Sequence, residues 1–440
     1  MRHLPSTGAP GPAGSRDRRT PVRTAGRPPR APDPAATERA PGFAAHEAAT
    51  EPADHERAPE SAADEDLTAA VEHTLTRYLG ERRAEAARSS DRFAADVVEP
   101  FCRFVLGGGK RLRPAFVWWG WRAAGGRPGD AGRVRAVLRA AAAVELLQAS
   151  ALVHDDLMDG SALRRNEPAA HVRLAARHRA AGLRGNAETF GLHTAVLTGD
   201  LALAWADDLW ESAPAQGETG SRAREVWHAM RTEMVAGQYL DLYHQAEEND
   251  SAAAALRVAR LKSALYTVER PLHLGAALAG GSGPATAALR RAGGRIGLAF
   301  QLRDDLLSVF GSQADTGKPA GDDLREGKRT YLMAVALRRA RAQGRADAER
   351  QLRDVLRAPG LTPAGLARIR VVLADLGAAA QVERQIERLV HSAAETLRRA
   401  PLAPVAVHRL TALADGITAG ACPEPEPPPG RPARLGGGVR

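Results

Sequence analysis

Glu145–Pro168 reads ELLQASALVHDDLMDGSALRRNEP. An uncharged run, Leu146 to Val153, leads through His154 into the carboxylates Asp155, Asp156 and Asp159 and then to Arg164 and Arg165. On a helix, side chains three and four residues apart are neighbours, so the spacing predicts three acids crowded on one face. Acidic runs on helices are usually solvated faces, but such a face does not normally grow out of a buried-looking apolar segment. Crowded carboxylate oxygens suit a hard divalent cation, and Mg²⁺ typically takes one or two carboxylates together with substrate phosphates. The planar forks of the two arginines match phosphate oxygens. The stretch has the electrostatic outline of a diphosphate site at the end of a buried helix.

Composition agrees with a helical protein. Ala and Arg dominate the 440 residues, β-branched and aromatic residues are scarce, and helical spacing recurs through the middle of the chain, which predicts an all-α fold; the length allows two or three average domains or one large helical domain. The formal charge of +9 and pI near 10.2 invite a nucleic-acid reading. The bases are spread rather than gathered into a stripe with interleaved aromatics, so a protein that handles small anions explains the charge equally well. Two cysteines, Cys102 and Cys422, cannot form a disulfide framework and fit a reducing cytoplasm. No run of about 18 uninterrupted apolar residues predicts a membrane span; the nearest, Ala136 to Val153, contains Arg139 and Glu145.

Lysine occurs only at Lys110, Lys262, Lys318 and Lys328, and every other strong base is arginine. A chain so biased keeps lysine where a compact, flexible ammonium is needed.

Residues 1–66 are rich in Pro, Ala, Gly and Arg without apolar periodicity and read as a disordered tail; residues 420–440 read likewise, leaving 67–419 as the folded domain. Leu67, Val71, Leu75 and Leu79 open that domain at helical spacing. Phe101 to Leu106 belongs to a helix stopped by Gly107–Gly109, after which Lys110, Arg111 and Arg113 precede a helix with Pro114 in its first turn. A glycine turn, three bases and a helix start present donors and positive potential to an anion. It is not a P-loop, because Arg111 follows Lys110 where Ser or Thr is required. Further helices are expected over Arg133–Met158, Leu192–Trp210, Val226–Gln245, Leu256–Val268 and Ala292–Phe310. The last carries a second acidic cluster, Gln301, Asp304 and Asp305, followed by GSQADTGKPAGDDLREGKRT with Lys318 and Lys328, which reads as a phosphate lid.

Taken in order, GGGKRLRP, LVHDDLMDGSALRRNEP, GQYLDL, KSALYT and AFQLRDDLLSVFG followed by GKPAGDDLREGKRT resemble the motifs of the trans-isoprenyl diphosphate synthases, the polyprenyl synthetase family. The resemblance covers about Leu67 to Ala419 and implies a single large all-helical bundle around a central apolar cavity, working as a homodimer with Mg²⁺. It implies that an allylic diphosphate (dimethylallyl, geranyl or farnesyl) ionises and that isopentenyl diphosphate attacks the cation, adding five carbons. Asp155, Asp156 and Asp159 would bind metal from one helix and Asp304 with Asp305 from the facing one. Arg164, Lys262, Ser263, Gln301 and Lys318 would hold the allylic diphosphate with Lys328 near it, and Lys110, Arg113 and Arg165 would hold isopentenyl diphosphate. All four lysines fall on motif positions.

The chain departs from the family's fuller pattern at three places. Ser308 stands where a third aspartate of the second cluster is common. Gln148 replaces a histidine, with an amide still able to donate to phosphate, and Asn166 replaces a glycine, where asparagine tolerates left-handed backbone. Chain length is expected to be set above the first aspartate, at Ala151 and Ser150, with Leu147 as a lower floor. Their small side chains favour geranylgeranyl diphosphate, C20, over a C15 stop, with C25 or longer products and a noncatalytic partner subunit as the competing readings; Ser150→Phe is expected to shorten the product. A class I terpene cyclase shares the acidic site but would lack GGGKRLRP.

Overall fold

The computed structural model describes residues 63–213, 217–313, 319–357 and 361–418. Lys318 and the expected C-terminal tail lie outside the described residues, as do residues 1–62 of the expected N-terminal tail. The described chain is helical almost throughout, with one two-stranded ribbon.

The first helix, Leu67–Ser89, starts behind Asp66, whose carboxylate accepts the Ala69 N–H at 2.9 Å. Val71, Leu75 and Leu79 are fully buried, as their spacing predicts. Packing begins earlier than composition suggests. Ala63 is buried, and Asp64 accepts from Trp118 Nε1 at 2.9 Å and pairs with Arg122, so these two residues, grouped with the tail by composition, rest on the bundle.

Glu99–Leu106 ends at Gly107 and Leu112–Ala123 follows with Pro114 in its first turn. The central helix, Ala131–Met158, is capped by Asp130. Ala140 to Val144 have no exposed surface. Length and composition alone would let this helix cross a membrane, but most of it is buried inside the protein. Leu67–Ser89, Leu112–Ala123 and Ala187–Glu211 pack around it, and its small side chains let their backbones come close. Asp155 and Asp156 occupy its last turn and Asp159 caps its end.

The chain then forms the ribbon, Leu163–Arg164 paired antiparallel with Glu167–Pro168. Arg165 and Asn166 at its tip have φ of 53° and 63°, the positive values a two-residue type I′ hairpin turn demands. This turn sends Arg164 and Arg165 to different neighbours.

Gly217–Ala246 precedes a long helical segment, within which sequence predicts a helix over Leu256–Val268. Instead Ala252–Val258 widens into a π-helical stretch, Ala259–Glu269, before Arg270–Ala279 resumes α geometry. Such widened turns recur at functional sites because they re-aim side chains without ending the helix. This one carries Lys262, Ser263, Tyr266 and Thr267. Gly283–Phe310 packs on it and on Ala378–Arg399. Buried Arg303 donates to Glu383 at 2.5 and 2.6 Å and to the Ile417 carbonyl at 3.1 Å, tying the C-terminal helices to the helix that bears Asp304.

Candidate active site

A cavity of 360 Å³ opens between the central helix, Gly217–Ala246, the π-helical stretch and Gly283–Phe310. Asp155 reaches it from the central helix and Asp304 and Asp305 from Gly283–Phe310 facing it, so the structure brings the two acidic clusters to one space. Gln148, Ala151, Leu152, Arg113, Arg164, Ser263, Gln301 and Lys328 also line it.

The bases and acids alternate. Lys262 Nζ lies 3.1 Å from Asp155 and 2.7 Å from Asp241. Burial opposes the Lys262 charge, but Asp155 and Asp241 outweigh it and hold the ammonium above its ordinary range. Arg164 donates from Nε to Asp156 at 2.9 Å and from Nη2 to Asp156 at 2.5 Å and Asp155 at 3.2 Å. Lys328 Nζ sits 2.6 Å from Asp159, 2.7 Å from Glu326 and 3.4 Å from Asp323. Burial again disfavours this ammonium, and the surrounding carboxylates, Asp323 foremost, raise it well above its ordinary value.

Three acids expected on one face divide in two. Asp155 faces the cavity and Asp159 pairs with Lys328, which lines it, whereas Asp156 is 2% exposed and pairs with Arg164. The physical reason is the helix end, where the ribbon folds Arg164 back over Asp156. On the facing helix Asp305 is buried and accepts a 2.8 Å hydrogen bond from Gln301 Nε2. Burial pushes its carboxyl up to about 8, with Gln301 acting in the opposite direction. Ser308 turns its hydroxyl back to the Asp305 carbonyl at 3.0 Å.

Gly237 makes the Lys262–Asp241 contact possible. A Cβ at this position would stand 2.2 Å from the Lys262 nitrogen and 2.5 Å from its Cα, so only glycine lets the two backbones meet one turn before Asp241. Gly237→Ala is expected to destabilise the fold by about 1–3 kcal/mol through overpacking. Denaturant unfolding of the variant checks this, and unchanged stability would mean the helices separate without cost.

A second group of bases surrounds the glycine loop. Lys110 is exposed, Arg113 donates to Thr267 Oγ1 at 2.8 Å with its guanidinium 4.7 Å from the Tyr266 ring centroid, and Arg165 donates to the Gly108 carbonyl at 2.7 Å while packing on Phe104. Arg113 lines the cavity, Lys110 stands on the glycine loop, and Arg165 reaches that loop from the tip of the ribbon.

The three positions expected to set chain length are not equivalent. Ala151 lines the cavity. Ser150 does not, because its hydroxyl donates to the Gly199 carbonyl at 2.8 Å on the neighbouring helix, and Leu147 is sealed in the core. Successive residues on a helix turn by about 100°, so Gln148, Ala151, Leu152 and Asp155 share one face and Ser150 another. Across the cavity stands Met234.

Glu326 and Arg329 sit within a run of other charges that hides them in the sequence, and Asp241 is covered there only by the motif GQYLDL. The signal for Asp241 was its place between Leu240 and Leu242.

The donors fit a hard cation. Every acidic group facing the cavity offers oxygen; the first cluster is met by Lys262, Arg164 and Lys328, and Asp305 of the second by the amide of Gln301. Among the described residues no three His, Cys, Asp or Glu side chains gather into a closed metal cage. An open set of carboxylates is what Mg²⁺ uses when phosphate oxygens complete its shell.

Comparison with known proteins gives the same reading. Residues 95–359 match the family described as polyprenyl synthetase. A geranylgeranyl pyrophosphate synthase from Corynebacterium glutamicum, solved with isoprenyl diphosphate and magnesium, is 42% identical with a TM-score of 0.76, covering 79% of this chain and 97% of its own. The geranylfarnesyl diphosphate synthase of Aeropyrum pernix is 31% identical over 68% of this chain and 85% of its own. A short chain isoprenyl diphosphate synthase of Methanothermobacter thermautotrophicus is 33% identical over 55% and 67%. The shared helical architecture, the two acidic clusters across one cavity and this match over more than half of the sequence make the chain a prenyltransferase of the polyprenyl synthetase family.

Proposed function

We propose that this chain condenses isopentenyl diphosphate with an allylic diphosphate to give a trans-polyprenyl diphosphate, geranylgeranyl diphosphate (C20) being the main product. The observation that carries the reading is the single cavity in which Asp155 faces Asp304, with Lys262, Arg164 and Lys328 between the acids and apolar side chains below them.

Lys262, Arg164, Ser263, Gln301 and Lys328 hold the allylic diphosphate, joined by Lys318 on its motif position. Lys110, Arg113 and Arg165 hold isopentenyl diphosphate, and Gln148 donates to the phosphates from the cavity wall. The allylic C–O bond breaks and its electron pair leaves with the diphosphate; the double bond of isopentenyl diphosphate then forms the new C–C bond, and loss of a proton restores a double bond. Asp155, Asp159 and Asp304 would hold Mg²⁺, which when bound would neutralise charge on the departing diphosphate. The bases now paired with aspartates are preorganised donors for charge that grows in the transition state. Asp156 contributes by fixing Arg164, and Asp305 by fixing Gln301. Ala151, Leu152, Met234, Phe300 and Tyr266 line the space where the carbocation and its tail would lie and exclude water from it.

Diphosphate release tests this reading. Rapid release is expected only when Mg²⁺, an allylic diphosphate and isopentenyl diphosphate are all present; release unaffected by omitting isopentenyl diphosphate would oppose it.

We further propose a homodimer. Leu192, Val196 and Leu197 on Ala187–Glu211 and Val235, Tyr239 and Tyr243 on Gly217–Ala246 are exposed, and clustered exposed apolar side chains of this kind suit a protein–protein contact. Light scattering is expected to give twice the 46.6 kDa chain mass, and Leu197→Glu to give the chain mass.

A further inference from the structure

Beneath the glycine loop lies a buried carboxylate that the reaction scheme does not use. Glu145 is on the central helix and is 6% exposed. Its Oε1 accepts from Arg111 Nη1 at 2.7 Å, and Arg111 is itself 3% exposed. Arg111 Nη2 donates to the Val105 carbonyl at 2.8 Å and stands 3.5 Å from Glu72. The middle base of GGGKRLRP therefore turns inward. Its backbone is left-handed, φ 44°, a conformation a non-glycine residue keeps only when its surroundings over-determine it.

That inward turn has a geometric consequence. With Arg111 anchored below, Lys110 is left exposed on one side, and on the other Arg113 opens the next helix and reaches Thr267. Arg165 closes over the same loop. Gly109 has φ 136°, and a Cβ there would stand 3.3 Å from Arg165 Nη2 and 3.9 Å from Glu145 Oε1. Arg165 thus lies over a carboxylate that already holds another guanidinium. Burial lowers Arg165 from its ordinary range, Glu145 opposes this, and Arg111, Arg164 and Arg113 add to it. Glu145 is the acid set among these crowded positive charges.

We infer that Glu145 is a positioning residue for isopentenyl diphosphate: through Arg111 it fixes the Gly107–Gly109 loop, and by its charge it keeps Arg165 over that loop, so that Lys110, Arg113 and Arg165 converge on one diphosphate. Glu145 touches no substrate. The inference rests on the proposed assignment of those three bases to isopentenyl diphosphate.

Steady-state kinetics with each substrate varied separately tests both levels. Lys110→Ala is expected to raise KM for isopentenyl diphosphate and not for the allylic diphosphate; equal KM values to wild type would remove the assignment itself. Glu145→Gln is expected to raise KM for isopentenyl diphosphate about tenfold, with KM for the allylic diphosphate and kcat within about twofold, the signature of lost binding made equally in ground and transition states. Glu145→Asp, which keeps the carboxylate, is expected to recover most of the loss. If Lys110→Ala behaves as expected but Glu145→Gln leaves KM for isopentenyl diphosphate unchanged, or raises both KM values equally, the positioning role is overturned. Should Glu145→Gln fail to fold, Arg111→Lys provides the same comparison, since it keeps the charge but loses the fork that meets both Glu145 and Val105.

Discussion

Asp155→Asn is expected to lower kcat by about three orders of magnitude, the loss found when a preorganised electrostatic group is removed from a reacting centre. Asp155 is the acid of the first cluster that faces the cavity directly, and it is also one of two carboxylates that hold Lys262. Asparagine keeps the shape but removes the charge, so both the metal contact and the placement of Lys262 suffer while the helix keeps its packing. Single-turnover rates with both diphosphates check the prediction, and a fall of less than about tenfold, or about 1.4 kcal/mol, would remove Asp155 from the centre. Asp156→Asn gives a useful contrast. This residue is 2% exposed and its contacts are to Arg164, so its loss leaves a buried guanidinium short of charge and lowers stability as well as activity.

Ala151→Phe is expected to shift the main product from C20 to C15 or shorter. Ala151 is one turn, about 6 Å, before Asp155 on the face that lines the cavity, and an aromatic ring there would fill the passage toward Met234. Met234 is an adaptable neighbour, and Met234→Ala is expected to move the product the other way. Ser150→Phe, which sequence alone favours for shortening, now has a different expectation. Its hydroxyl faces the Gly199 carbonyl in a closed helix contact, so the ring would force two helices apart and lower stability before it reached the tail. Chromatography of dephosphorylated products from the three variants separates these outcomes, and a shortened product from Ser150→Phe alone would restore the sequence-based floor.

The contrast between Ala151 and Ser150 shows where sequence reading stops. Helical periodicity identifies the elements because it is local: the buried Val71, Leu75 and Leu79 were legible from spacing, as was the stop at Gly107. Motif order identified the two acidic clusters and the bases because their chemistry depends on residue type. Which way a side chain faces depends on a neighbour far along the chain. Ser150 is oriented by Gly199, Asp241 gains its meaning from Lys262, and Arg111 from Glu145. The π-helical stretch was equally hidden, since Ala259–Glu269 has no glycine or proline to mark a departure from regular helix. Asn166 was legible as a residue that tolerates left-handed backbone, while Arg165, with φ 53°, was not, because arginine carries no such preference.

The central claim, that this cavity builds a prenyl chain by adding isopentenyl units to an allylic cation, is tested most directly by product analysis. The purified chain is incubated with Mg²⁺, isopentenyl diphosphate and dimethylallyl, geranyl or farnesyl diphosphate in turn, and the dephosphorylated products are separated by chain length. A dominant C20 alcohol from at least one starter is the predicted result. No elongated alcohol from any starter would contradict the account.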